Sequence, residues 1–382
     1  MGPLPAWSTI WPQDEKGGFR MIRKAFFPRC YIQGKDILRN LGGIEELKNK
    51  RVFILATNTA VKTIIPENLS TWKSICEIKY EKFNGECTWA EINRVLGIAN
   101  GGVYDFIIGL GGGKTIDTAR VVAKQLDVKY IAAPTIAATD APTASACVVY
   151  NDEGSVVDYF TTSNPDYVLM DTRIIAEAPA RFLVSGMGDA LATWFEAETC
   201  DRFSFRNVSG GFNLRAIMSL AEACYKTLLT HGRTAKIACE NNLVCPALEY
   251  IVEANTLLSG LGFESGGLST PHGIHDCLCN LEGTHAYYHG EKVAFGTLAG
   301  LFLESRPQPL IHEVYAFCRS VGLPTTLAQI GLEDVTDREL NAAIHPVFDN
   351  KQSYLHNVRF DLTPEGIIEA IRMADAFGYH LG

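Results

Sequence analysis

Four imidazoles fall close together late in the chain: His272, His275, His285 and His289. His272 and His275 are spaced i, i+3, so a helix would put them on one face. His285 and His289 straddle a turn and share a face only if that turn is helical. Two histidines from separate segments plus one carboxylate form a recurrent catalytic metal set, because positions stay open for water or substrate. The carboxylate candidate is Asp189, in Gly186-Met-Gly-Asp-Ala190 at the start of a long helical pattern. An acid there also suits a helix cap or first turn. Any one of these histidines alone reads more simply as a core or surface imidazole. The clustering is what favours metal chemistry.

A second chemical segment is Gly109-Leu-Gly-Gly-Gly-Lys-Thr-Ile-Asp117. Glycines let the backbone approach a ligand closely, and a helix N-terminus offers free N–H groups to a phosphate. Lys114 adds a charge. The spacing matches neither the Walker A loop nor GxGxxG. The plainer reading is a turn that only lets a helix pack tightly, but strand, triple glycine and helix start coincide here.

The elements that must position these groups change character along the chain. Strands are predicted at Arg51–Ala56, Ile75–Tyr80, Tyr104–Ile108 and Lys129–Pro134, with a helix over Thr115–Gln125. Strand, helix, strand at that distance is a βαβ unit and a parallel sheet. Cys147–Tyr150 and Val156–Phe160 flank Asn151-Asp-Glu-Gly154 and read as a hairpin; Tyr167–Met170 is a further short strand. Beyond Arg173 the patterns are helical: Pro179–Thr199, Phe212–Thr230, Thr234–Ser259, Thr270–Leu281, Lys292–Glu304 and Pro364–Phe377. The expected plan is a loose tail over 1–20, a dinucleotide-binding α/β domain over 21–178 with a Rossmann-like parallel sheet, and an all-α metal-binding domain over 179–382. The active site is expected in the cleft between the two domains.

Composition narrows the class. The 382 residues carry a net charge of −9, which makes the chain a poor general ligand for nucleic acid or an anionic membrane. No window approaches the roughly 18 apolar residues of a membrane span. The Pro-rich, acidic N-terminus has no signal-peptide pattern. Eleven cysteines form no CxxC pair, and Cys277 and Cys279 are one residue apart; they read as reduced, buried thiols of a cytoplasmic protein.

With these residues in view, the chain resembles the glycerol dehydrogenases of the metal-dependent, iron-containing alcohol dehydrogenase superfamily. The stretches that carry the resemblance are Gly109–Thr118, Ala133-Pro-Thr-Ile-Ala-Ala-Thr-Asp-Ala-Pro142, Ala178-Pro-Ala-Arg-Phe-Leu183, Gly186–Ala197 and His289-Gly-Glu-Lys-Val-Ala-Phe-Gly296. The resemblance covers about residues 21 to 382. The resemblance implies oxidation of glycerol to dihydroxyacetone with NAD, by hydride transfer from a hydroxyl activated by one divalent metal, usually zinc. It implies Asp189, His272 and His289 as metal ligands, Asp140 as the contact to the polyol, and His275 as the nearby non-ligand imidazole, read here as a proton relay. For the dinucleotide it points to Gly113, Lys114, Thr115 and Asp117, then Thr135 and Ala138, then Ala144, Ala146 and Tyr150. It implies a homo-oligomer.

Two departures stand out. Ala56-Thr57-Asn58 replaces the acid that relatives often place at the end of the first strand, which leaves NADP open beside NAD. Ala144 and Ala146 stand where a Ser and a Leu are usual. The competing readings are a relative acting on another diol, a 2-hydroxy acid or a glycerol phosphate, and a dehydroquinate-synthase-like lyase on the same fold. A non-catalytic metal-binding paralogue is the remaining one.

Overall fold

A computed structural model describes residues 21–151 and 156–381. The tail 1–20 and most of the expected turn at 151–154 lie outside the described residues. The strands are β1 (Tyr31–Gly34), β2 (Arg51–Ala56), β3 (Glu77–Lys82), β4 (Phe106–Gly111), β5 (Lys129–Pro134), β6 (Ala146–Tyr150), β7 (Val156–Thr161) and β8 (Tyr167–Asp171). Six of them form one parallel sheet in the order β1-β8-β5-β4-β2-β3, and β6 and β7 form a separate antiparallel pair.

The helices of this half are α1 (Asn58–Lys62), α2 (Ile64–Lys73), α3 (Trp89–Ala99), α4 (Gly113–Leu126) and α5 (Thr172–Glu177). They cover both sheet faces, and the strand sequences show why. Along β2, Phe53 and Leu55 join the core shared with α3 and α4, while Val52, Ile54 and Ala56 join a second core with Ile64, Ile65 and Trp72 of α2. A strand buried on both sides reads as a continuous apolar run, as β2 does.

After β8 the described residues hold only helices: α6 (Ala180–Phe203), α7 (Arg215–Glu240), α8 (Pro246–Glu253), α9 (Ser259–Gly266), α10 (Thr270–Leu278), α11 (His289–Leu303), α12 (Gln308–Val321), α13 (Asp337–Phe348) and α14 (Pro364–His380), besides short 3-10 turns. A π-helical turn, Ala254–Leu258, joins α8 to α9. α6 is buried continuously from Leu183 to Thr193, as expected of a helix that is apolar all round and sits at the centre of a bundle. One core runs unbroken from the β4/β5 sheet face through α6, α7 and α11. No described helix is long and apolar enough to cross a membrane.

Some elements differ from the sequence reading. β1 was not foreseen; its four half-buried residues show no alternation. β3 lies two residues later than expected, because Ile75 still belongs to the turn closing α2 and the charged strand is an exposed edge. The expected break at 230–234 does not occur. Gly232 is interior to α7, where a Cβ would stand 2.8 Å from the Phe317 ring, so the glycine serves close packing rather than a helix stop. The break falls after Glu240, and Pro246 occupies the first turn of α8.

The sheet order places a topological switch between β2 and β4: the chain winds outward from β2 to β3, then returns to β4 and β5 on the other side. Ligands of open α/β sheets bind outside the strand C-termini at such a point. The glycine loop follows β4 there.

Candidate active site

Three helices bring the chemistry together. Asp189 lies in the third turn of α6, His272 in the first turn of α10 and His289 at the start of α11. Small residues let α6 meet the loop after β5 and α11 backbone to backbone. A Cβ on Gly186 would stand 2.0 Å from the Ala137 carbonyl oxygen, one on Gly188 2.2 Å from that of Gly290, and one on Gly290 1.8 Å from that of Ser185. Glu291 caps α11 by accepting from the Tyr288 N–H and pairs with Arg181 of α6 at 2.6 Å.

The resulting geometry is tight. Asp189 Oδ1 is 3.1 Å from His289 Nε2 and 3.4 Å from His272 Nε2. One donor atom from each of the three residues lies within 4.8 Å of the others. A tetrahedral metal with bonds of about 2.1 Å requires donor separations of about 3.4 Å, so the set fits a divalent cation. Asp plus two His also suits that charge and leaves open positions. The charge environment agrees: Asp189 and Glu196 are fully buried beside the imidazoles, with Asp140 next to them. Burial pushes the Asp189 carboxyl up, but His289 and His272 outweigh it and hold it below the ordinary carboxylate range. Burial opposes protonation of His272, yet Glu196 and Asp189 hold its pKa well above the ordinary value.

Asp140 lies on the loop after β5. Its N–H donates to Asp189 Oδ2 (3.3 Å), and its Oδ2 accepts from Ser259 Oγ (2.8 Å), which is hydrogen-bonded to Thr193 Oγ1 (2.9 Å). Burial, reinforced by Asp189, raises its pKa well above the carboxylate norm. His275 lies behind His289, with ring centroids 4.4 Å apart. Its Nδ1 is 3.0 Å from Asp276 and its Nε2 3.3 Å from the Cys279 thiol. Burial depresses its pKa to about 3. His285 stands apart, on the Cys279 carbonyl.

The glycine loop opens α4 without a side-chain cap at Gly112, so its first N–H groups are available to an anion. A Cβ on Gly111 would stand 2.5 Å from Thr57 Cγ2 and 2.7 Å from Thr115 Oγ1; Thr57 itself caps α1. Lys114 is paired with Glu86 (2.5 Å) and lies over the Tyr150 ring. Thr115 is buried. Asp117 is turned inward onto Arg120 (3.1 Å) and the Val148 N–H (3.4 Å). Thr135 N–H donates to the Gly111 carbonyl, and the Ala138 carbonyl accepts from Ser185 Oγ. Ala144 and Ala146 are buried on the segment that Arg120 holds through the Ala141 and Ala146 carbonyls.

The sequence reading missed Glu196, Ser259 and Thr193. Only the spacing of Asp189, Thr193 and Glu196 on one helix face (i, i+4, i+7) pointed to two of them.

Residues 28–172 match the family described as iron-containing alcohol dehydrogenase. The chain is 46% identical to the glycerol dehydrogenase of Thermotoga maritima over 361 residues, covering 94% of this chain and 98% of that one. It is 42% identical to the glycerol dehydrogenase of Citrobacter freundii over 362 residues, 94% of this chain and 98% of that one. The crystal structure of glycerol dehydrogenase from Schizosaccharomyces pombe superposes with a TM-score of 0.90 at 32% identity, over 94% of this chain and 92% of that one. The motifs noted in the sequence, the two-part fold and these full-length likenesses agree that the chain belongs to the iron-containing alcohol dehydrogenase family, on the side of its glycerol dehydrogenases.

Proposed function

We propose that the chain is a polyol oxidoreductase that oxidises glycerol to dihydroxyacetone and reduces NAD, with a divalent metal, zinc, held by Asp189, His272 and His289. The observation that carries this is the convergence of those three donors next to a second carboxylate, Asp140, on a chain 46% identical to a glycerol dehydrogenase. When bound, the metal lowers the pKa of a hydroxyl brought to it and the nicotinamide accepts the hydride.

The chain's own residues do the rest. Asp140 accepts a hydrogen bond from a neighbouring hydroxyl, which selects diols, and Ser259 fixes the carboxylate that does so. The uncapped start of α4 receives the pyrophosphate, with Gly113, Lys114 and Thr115 at its mouth. Thr135, Ala138 and Tyr150 form the walls, and the buried Asp117, Ala144 and Ala146 shape them from behind. His275, its Nδ1 held by Asp276, relays the hydroxyl proton onward without retaining it. A His275→Ala variant with unchanged turnover would remove that role.

The test mixes purified protein with glycerol and NAD or NADP, before and after chelation and zinc restoration, and follows reduced-nicotinamide absorbance. Zinc-restored, NAD-dependent reduction is expected. A second reading has one support: the chain is 38% identical, over 356 residues, to the glycolaldehyde reductase of Halobacterium salinarum. The same site would then run in reverse on a small hydroxyaldehyde. Comparing glycerol oxidation with glycolaldehyde reduction separates the two. A homo-oligomer in the cytoplasm is part of the proposal, and light scattering on the eluting peak tests its size.

A further inference from the structure

We propose that Glu196 is a positioning residue that locks the His272 ring so that Nδ1 carries the proton and Nε2 is free to ligate. This rests on the reading of Asp189, His272 and His289 as a metal site. Asp189 and Glu196 are seven residues apart on α6, two turns along the same face, and they grip opposite edges of one imidazole. Asp189 Oδ1 faces His272 Nε2 at 3.4 Å, and Glu196 Oε2 faces Nδ1 at 2.8 Å.

The other oxygen of Glu196 is what makes the arrangement specific. Oε1 accepts the Ser269 N–H (2.9 Å) and the His272 N–H (3.1 Å). These are first-turn groups of α10, which receive no cap from Ser269, whose own Oγ is buried without a hydrogen-bond partner. Glu196 is fully buried. Three N–H donors therefore converge on one side chain, and only a carboxylate accepts all three at once. A glutamine has one accepting end and one donating end. With its oxygen on the two backbone N–H groups, its NH2 faces Nδ1, draws the lone pair there and leaves the proton on Nε2, where it blocks ligation. With the amide reversed, NH2 opposes two backbone donors. Neither placement reproduces the carboxylate. Partners of this kind on a ligating imidazole fix its tautomer and typically change metal affinity 10–100-fold.

The experiment is a zinc competition titration against a chromophoric chelator, with wild-type and Glu196→Gln protein stripped of metal. We expect zinc affinity to fall about 10–100-fold in the variant, while circular dichroism is retained. In parallel, nitrogen-15 histidine spectra of the zinc-loaded wild type should show the His272 proton on Nδ1 and zinc on Nε2. The spectra decide the matter even if the variant does not fold. Wild-type protein that binds no zinc would overturn the metal reading itself. Wild type that binds zinc, with Glu196→Gln binding equally well or with zinc on Nδ1, would overturn the Glu196 proposal alone.

Discussion

At the scale of single residues, the site divides into groups recognisable by type and groups recognisable only by partner. Asp189, His272 and His289 were legible because few residue types ligate metals and these recur in a cluster. Glu196, Ser259 and Thr193 were not, since a Glu, a Ser and a Thr inside helices are ordinary until their partners are known. Asp140 belongs to both groups: its loop motif marked it, and its anchoring by Ser259 explains it. A hydrogen bond contributes about 0.5–1.5 kcal/mol. Asp140→Asn should therefore raise KM for glycerol by about two- to tenfold, with a smaller effect on 1-propanol, read from steady-state kinetics; equal effects would remove Asp140 from polyol recognition. Cys147 gives a contrasting case. Burial pushes its thiol up to about 12, and no base is paired with it. Alkylation of the folded protein with iodoacetamide at neutral pH, read by peptide mass mapping, should leave Cys147 unmodified.

At the scale of elements, the proposed ligands are only as close as the helices allow. Gly188 of α6 and Gly290 of α11 meet backbone to backbone, and that contact brings Asp189 and His289 to 3.1 Å. Gly290→Ala places a Cβ 1.8 Å from the Ser185 carbonyl oxygen. The backbone must yield, at about 1–3 kcal/mol or more. The expected outcome is a lower denaturation midpoint together with lost zinc, measured by urea unfolding and metal analysis. A variant that is destabilised but fully zinc-loaded would show that the contact serves packing alone. Strand and helix types were readable because β2, β4 and β5 are buried on both faces while the later half follows helical spacing. Boundaries were less so. The break expected at 230–234 is absent because Gly232 packs against the Phe317 ring of α12, a partner far away in sequence that leaves no local signal, and β1 was invisible because an edge strand of four half-buried residues has no period to detect.

At the scale of the whole molecule, the three proposed ligands come from helices α6, α10 and α11, and a bound cation would join them at one point. Binding at a hundredfold above Kd stabilises a folded chain by about 2.7 kcal/mol. Removing the metal with a chelator should lower Tm by several degrees, and zinc should restore it, as read by calorimetry; an unchanged Tm would mean that the three helices hold their places without it. The sheet imposes a different kind of constraint. Its order begins with β1 beside β8, so Tyr31 pairs with Val168. The first strand to leave the ribosome must wait for the last before it finds its neighbour. At synthesis rates of roughly 5–20 residues per second, that delay is on the order of ten seconds. For that interval the nascent chain carries an unpaired strand, and the central β2–β4–β5 strands can assemble well before the sheet acquires its final edge.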